Sequence, residues 1–156
     1  MRYETYKPSG IEWIGDIPEH WEVKRLKNIT GVNEDVLPEN TPFDYLLKYV
    51  DISNVNDKGD IIDIQEFEFA EAPSRARRKV KDGDVIISTV RTYLKAIAYL
   101  NKPEESLIVS TGFAVLSARK NKVHPKFQFY QVSDDIFIQG VIANSEGVSY
   151  PAISST

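Results

Sequence analysis

Cysteine is absent from the 156 residues of this chain, and histidine and methionine occur only twice and once. Without thiols the chain can form neither a disulfide framework nor a thiolate metal site, which agrees with a reducing compartment. No apolar run approaches the roughly 20 residues that a membrane span needs, and none follows the amino terminus as in a signal peptide. These absences predict a soluble, cytoplasmic protein that makes no use of a membrane.

Signatures of catalysis are also missing. His20 and His124 stand beside turn-forming residues, and no nucleophile pattern accompanies them. There is no Gly-x-Ser-x-Gly elbow, glycine-rich phosphate loop, dinucleotide fingerprint or His-Glu-x-x-His motif. Asp16 followed by Glu22 and Lys24 resembles a nuclease set only weakly, because the spacing is short and alternating charge on a strand explains it. We predict no catalytic residue, metal or cofactor; a small Mg²⁺-dependent hydrolase or nuclease is kept as an alternative.

The residues that are present predict one compact α+β domain. Hydrophobic residues make up 42% of the chain, with eight Tyr, seven Phe and two Trp, which is enough to bury a core. Strand-like patterns recur over residues 21–25, 46–52, 61–69, 85–90, 93–100 and 108–118. Pro125 stands at a typical first helical position, and Ser133 can cap a second helix. We expect a twisted, largely antiparallel sheet with a few short helices.

Charge is unevenly distributed along the chain. The net charge is −4, which argues against binding to nucleic acid through bulk charge alone. Between residues 75 and 95, however, the chain has only two acidic residues but seven basic ones: Arg75, Arg77, Arg78, Lys79, Lys81, Arg91 and Lys95. Guanidinium groups bind phosphate or the O6/N7 edge of guanine bidentately. The first five are therefore a candidate DNA-binding loop, for which a solvated basic turn is the alternative.

Two further segments carry candidate contacts. The run 83–91 is a turn and a buried strand ending in Ser88, Thr89 and Arg91, whose hydroxyls and guanidinium could face a DNA groove. Lys95 would extend that face, although the hydroxyls could equally complete a hairpin end. In the segment 147–154, Pro151 forces Tyr150 into an extended conformation. Tyr150 could contact DNA from there or pack over the sheet.

Four segments, in this order, resemble one protein family. They are Ser-Gly-Ile-Glu-Trp-Ile-Gly-Asp-Ile-Pro-Glu-His-Trp-Glu-Val-Lys-Arg-Leu at 9–26, the Gly-Asp-hydrophobic strand at 83–90, Ser-Thr-Gly-Phe-Ala-Val-Leu at 110–116 and Gly-Val-Ser-Tyr-Pro-Ala-Ile-Ser at 147–154. Together they are similar to a target-recognition domain in the specificity subunit of a type I restriction–modification system. The order of the segments makes this resemblance more specific than any single one.

The resemblance implies a non-catalytic reader of double-stranded DNA. It implies binding to one half of a bipartite site in the major groove, and partners that are the modification (methyltransferase) and restriction subunits. Residues 1–20 are expected to be an arm packed on the domain, and residues 21–156 a single target-recognition domain. Intact family members have two such domains joined by long helices, and we expect the helical spacer and the second domain to be absent here. A protein-interaction module that docks an acidic partner is the main alternative.

Overall fold

The computed structural model describes residues 3–12, 14–147 and 152–153. These residues form ten strands: β1 (Tyr6–Pro8), β2 (Asp16–Pro18), β3 (Thr30–Val32), β4 (Leu46–Val50), β5 (Gln65–Glu68), β6 (Ala76–Lys79), β7 (Val85–Ser88), β8 (Ile97–Tyr99), β9 (Leu107–Ser110) and β10 (Phe113–Ala118). The α-helices are α1 (Leu26–Ile29), α2 (Pro125–Ser133) and α3 (Asp135–Ala143), and 3-10 helices cover Ile52–Asn54, Phe69–Glu71 and Thr92–Leu94. The α+β class is confirmed.

The strands divide between two four-stranded sheets and one small hairpin. The helix-covered sheet has the order β3-β10-β7-β8 and is antiparallel throughout. The mixed sheet has the order β5-β4-β9-β6, in which only the β4–β9 pair is parallel. The largely antiparallel character is thus confirmed, while the strands that the sequence suggested for one sheet are shared between two.

Alternation along each strand builds a layered core. Ile86 and Phe113 from the helix-covered sheet meet Val50 and Val109 from the mixed sheet, and this cluster fills the space between the sheets. Successive side chains of a strand point to opposite faces. On the outer face of the helix-covered sheet, Val85, Ile87, Ala114 and Leu116 therefore pack against Val132 of α2 and Ile138 of α3. On the outer face of the mixed sheet, Leu47, Tyr49 and Ile108 pack with Leu37 and Phe69.

A buried polar contact fixes helix α2 to the helix-covered sheet. Gln128 is almost completely buried. Its amide accepts a hydrogen bond from the Thr30 hydroxyl of β3 and donates one to the Leu116 carbonyl of β10 at 3.2 Å. Buried amides are tolerated when both ends find partners. Gln128 therefore determines how the first turns of α2 sit across the sheet edge.

Several sequence-based boundaries are corrected. The segment predicted as one strand over 108–118 is two strands, β9 and β10, which belong to different sheets. Residues 21–25 form no strand, and the Trp21 ring instead packs edge-to-face on Phe127 of α2, with 5.8 Å between centroids. The segment 93–100 begins as a 3-10 helix, so its strand is confined to Ile97–Tyr99. Asp134 rather than Ser133 caps α3, because its carboxylate accepts the Ile136 amide.

Within residues 1–20, the predicted arm, β1 and β2 pair as an antiparallel hairpin. Gly10 and Gly15, at φ of 79° and 72°, allow the chain to reverse between the two strands. Ile17 is buried, and Tyr3 contacts both His20 and Trp21 edge-to-face. Through Trp21 this ring cluster reaches helix α2.

Candidate nucleic-acid interface

The predicted basic loop is mostly a strand. Ala76 to Lys79 form β6, one of the two edge strands of the mixed sheet, paired with β9. The register shifts between Ala76 and Arg78, so that a β-bulge contains Arg77. The outer side of β6 is occupied by residues 35–37, which make backbone hydrogen bonds to it at 2.7 and 3.1 Å. The basic residues are therefore held in fixed positions along a strand, which a solvated turn would not provide.

Arg75 and Arg78 lie next to the crossing between the two sheets. The Thr111 amide donates to the Arg75 carbonyl at 2.9 Å, and the Arg78 Nη2 contacts the Thr111 carbonyl at 3.4 Å. The Arg75 and Thr111 side chains are exposed, whereas Arg78 is half-buried. Burial lowers the pKa of Arg78 below its ordinary value. An arginine in this setting presents donors from a partly desolvated position, where electrostatic interactions are stronger than in water.

The end of β7 meets the same crossing from the other sheet. Thr89 donates to the Gly112 carbonyl twice, from its amide at 2.8 Å and from its hydroxyl at 2.9 Å. Ser88 is buried, and its hydroxyl donates to the Val90 carbonyl at 2.5 Å and accepts the Val90 amide at 3.2 Å. Both hydroxyls thus shape the strand end, and Thr89 is the more accessible of the two.

Arg91 and Lys95 bracket a short turn beyond β7. Both have left-handed backbones, with φ of 49° and 56°, and the 3-10 helix Thr92–Leu94 lies between them. Thr92 is buried, with its hydroxyl 3.0 Å from that of Ser145. The Lys95 ammonium forms an exposed ion pair with Asp135 of α3 at 3.0 Å. The turn is therefore anchored at its base and along one side.

The remaining basic candidates lie apart from this group. Arg77 stacks on the ring of Phe69, 4.8 Å from its centroid, on the outer face of the mixed sheet. The Lys79 Nζ lies 3.8 Å from Oδ2 of Asp35. Lys81 is exposed at the other end of the sheets, where its amide donates to Asp84 at 2.9 Å. Strand β10 joins the two ends, and its six residues span about 20 Å.

The structure thus brings together only part of the predicted set. Hydrogen bonds join Arg75, Arg78, Thr89 and Thr111 at the crossing, and Arg91 lies two residues beyond Thr89. We call these five residues the basic edge. Thr111 had only a weak signal in the sequence, as a polar residue ahead of a buried strand. Tyr93 and Leu94, both about half exposed beside Arg91, gave no signal in the sequence, because the pattern there predicts a strand. Tyr150 lies outside the described residues.

Other kinds of site find little support in the described part of the chain. No group of three or more His, Cys, Asp or Glu residues there could hold a metal ion. An open depression of about 370 Å³ lies beside the Lys48–Glu104 ion pair, and no serine, threonine or histidine lines it. None of the helices in the described ranges has the length and apolar character of a membrane span.

Comparison with known proteins gives consistent relatives in sequence and in structure. No protein-family profile matches the chain. Over 121 residues it is 27% identical to a protein of Methanocaldococcus jannaschii assigned as the specificity subunit of the type I restriction enzyme MjaX, covering 75% of this chain. The crystal structure of the HsdS subunit from Thermoanaerobacter tengcongensis superposes on 87% of the chain, with a TM-score of 0.62 and 31% identity.

A second solved structure comes from work on complex assembly and conformational transition of the type I restriction–modification system. It covers 85% of this chain, with a TM-score of 0.65 and 32% identity. The chain spans about a third of the length of these relatives: 28% of the M. jannaschii protein, and 36% and 37% of the two solved chains. In sequence and in fold, this chain is similar to type I restriction–modification specificity subunits over about a third of their length.

Proposed function

We propose that this chain is a non-catalytic target-recognition domain that binds double-stranded DNA and reads one half of a bipartite site. The observation that carries the proposal is the basic edge. Arg75 and Arg78 from the mixed sheet, and Thr89 at the end of β7, meet at the Thr111–Gly112 crossing through hydrogen bonds. Arg91 follows two residues after Thr89. Rigid presentation of arginine and hydroxyl groups suits both phosphate and base-edge contacts.

Different members of the basic edge suit different roles. The exposed Arg75 and Thr111 are suited to direct contact with phosphate or a base edge. The Nε of Arg78 is buried and makes no hydrogen bond among the described residues, a state that natural proteins usually relieve with an external partner. We infer that Ser88 positions the turn, because its hydroxyl donates a hydrogen bond to the Val90 carbonyl.

The other predicted DNA-binding residues have a more peripheral part in this proposal. Arg77, Lys79, Lys81 and Lys95 would act mainly through long-range attraction to phosphates, because they lie beyond the basic edge or are paired within the chain. Such exposed ion pairs are worth little and exchange readily for phosphate. Tyr150 is kept as a further candidate contact.

The proposal extends to the organisation of the whole system. Residues 21–156 would form the recognition domain, and residues 1–20 an arm packed on it through the Tyr3–Trp21 contact. Joined to the rest of a specificity subunit, the domain would direct the separate modification and restriction subunits to its DNA site. A half-site reader taken alone should bind weakly, because two linked domains gain from effective concentration.

The test is selection of bound duplexes from a random-sequence pool by the 156-residue chain, followed by binding measurements on the selected duplex at several salt concentrations. We expect enrichment of a motif of a few base pairs. The logarithm of the binding constant should fall linearly with the logarithm of the salt concentration, with a slope of about −0.9 per phosphate contacted. Arg75→Ala and Arg78→Ala should each weaken binding about five- to a hundredfold if they contact bases. Removing a phosphate contact should instead flatten the slope by about one.

Lys122→Ala is the matched control, since Lys122 is exposed after β10, away from the basic edge. Thermal unfolding of each variant separates loss of contact from loss of fold, which matters most for the half-buried Arg78. Equal binding by the parent, Arg75→Ala and Arg78→Ala would contradict the assignment of the basic edge. Absence of any duplex binding at low salt would instead favour a protein-docking module.

A further inference from the structure

The turn between Arg91 and Lys95 presents two apolar side chains beside the basic edge. Tyr93 and Leu94 are each 48% exposed, although large apolar residues are usually buried. They belong to a 3-10 helix of three residues, so the two side chains leave the turn from adjacent positions. Isolated exposed apolar residues are common on protein surfaces, but this pair lies between two basic residues.

The backbone of this turn is unusual at both ends. Arg91 and Lys95 each adopt a left-handed conformation that is unfavourable for residues with a side chain. Non-glycine residues in this region persist where the surroundings enforce them, and they concentrate at binding sites. Here Thr92, hydrogen-bonded to Ser145, and the Lys95–Asp135 ion pair hold the turn in place. The exposed pair is therefore presented rigidly.

Backbone contacts make the turn continuous with the basic edge. The Ser88 amide donates to the Ala96 carbonyl at 2.9 Å, directly after Lys95, and Thr89 donates to Gly112 at 2.8 Å. A duplex lying on Arg75 and Thr89 would thus meet Tyr93 and Leu94 as well. In the major groove, the apolar group that bases offer is the C5-methyl of thymine.

We propose that Tyr93 and Leu94 form an apolar reader of thymine methyl groups within the half-site. This inference rests on the proposed function. The surrounding Arg91 and Lys95 attract the phosphates that flank the contacted bases, while the apolar pair discriminates thymine from cytosine and adenine. Because neither side chain carries charge, their contribution to binding is independent of salt.

The experiment is a double-mutant cycle between protein and DNA. Each thymine of the selected motif is replaced singly by deoxyuracil, which removes the methyl group and leaves base pairing intact. The parent should lose about three- to tenfold in affinity at one or two positions, as expected for one buried methyl group. Tyr93→Ala or Leu94→Ala should bind more weakly by a similar factor, with the salt slope unchanged, and should no longer respond to uracil at that position.

Tyr130→Ala is the control, because Tyr130 is an exposed aromatic residue on α2, 65% accessible. It should keep both affinity and the uracil response. Parent-like affinity of both Tyr93→Ala and Leu94→Ala would overturn the inference and leave the proposed function intact. A selected motif without thymine, or a uracil response that survives in both variants, would overturn it as well. If the parent selects no duplex, the proposed function itself fails.

Discussion

Single residues in this protein show that burial changes the role of a side chain. Asp84 closes the turn before β7, where the Lys81 amide donates to it at 2.9 Å and the Ser117 hydroxyl contributes a further hydrogen bond. It is nearly inaccessible to water. Burial raises the pKa of the Asp84 carboxyl above its ordinary value of 3.8, although these donors act in the opposite direction. Desolvation of the charged form therefore outweighs its hydrogen bonds.

The raised pKa predicts a pH dependence of stability. Folded Asp84 holds its proton more tightly than the unfolded chain does, so its contribution to stability falls as pH rises from 3.8 through the folded pKa. Asp84→Asn is neutral at every pH and keeps an acceptor for the turn. We expect its free energy of unfolding to exceed that of the parent at pH 7 and to approach it as pH falls towards 4. Urea denaturation across this range measures the difference.

Asp84→Ala separates charge from hydrogen bonding at the same position. It leaves the Lys81 amide without its acceptor, which costs about 1–3 kcal/mol wherever the group is buried. This variant should therefore be less stable than Asp84→Asn at every pH. The prediction would be wrong if the free energy of unfolding of Asp84→Asn fell more between pH 4 and pH 7 than that of the parent.

Between elements, glycine conformations decide how strands and helices meet. Gly83, in the turn from β6 to β7, is buried with φ of 83°, and a Cβ built there would lie 3.3 Å from Cβ of Pro125 at the start of α2. Its amide donates to the Leu100 carbonyl beyond β8 at 2.8 Å. The turn thus contacts β8 and α2 at once, and a larger residue would disturb both contacts.

Substitution of two glycines by alanine should have opposite effects. Gly83→Ala places a side chain in the left-handed region and against Pro125, so we expect a loss of about 1–2 kcal/mol. Gly140→Ala lies in the middle of α3 with open space around it, so we expect a gain of about 0.5–1 kcal/mol. Thermal and urea unfolding of both variants measure the two signs. Destabilisation by Gly140→Ala would mean that α3 packs differently.

For the whole molecule, one inter-sheet core couples the two sheets. Phe113 opens β10 in the helix-covered sheet and is completely buried against Val50 and Val109 of the mixed sheet. The chain itself crosses between the sheets just before Phe113, at Thr111 and Gly112. Separation of the sheets would expose this cluster, so we expect them to unfold together.

Truncation of Phe113 tests that coupling. Phe113→Ala should cost about 3–5 kcal/mol, a large part of the about 5–15 kcal/mol available to a domain of this kind. Phe43→Ala is the control, since Phe43 is 77% exposed and its loss should change stability by no more than about 0.5 kcal/mol. Urea unfolding should give one transition by circular dichroism and fluorescence for parent and variant. Two separated transitions in the parent would show that the sheets are independent.

Local patterns and long-range contacts determined different parts of this protein. The alternation of Val85, Ile86 and Ile87 follows from the sequence, because side-chain direction in a strand repeats every two residues. Pro125 predicted the start of α2 correctly for an equally local reason, its fixed φ. The ordered motifs along the chain were also sufficient to predict the specificity-subunit family, which both the sequence and the structural relatives support.

Only the tertiary structure decided which strands share a sheet and which basic residues meet. The run 108–118 looks continuous, yet it divides at Gly112, where a Cβ would lie 2.4 Å from Cδ1 of Ile52. That contact joins residues 60 positions apart, beyond the reach of any local pattern. The same crossing brings Arg75 to Thr111. Lys81 lies at the opposite end of β10 and is therefore far from both residues. A strand's partners depend on burial of distant side chains, and so does the arrangement of the basic edge.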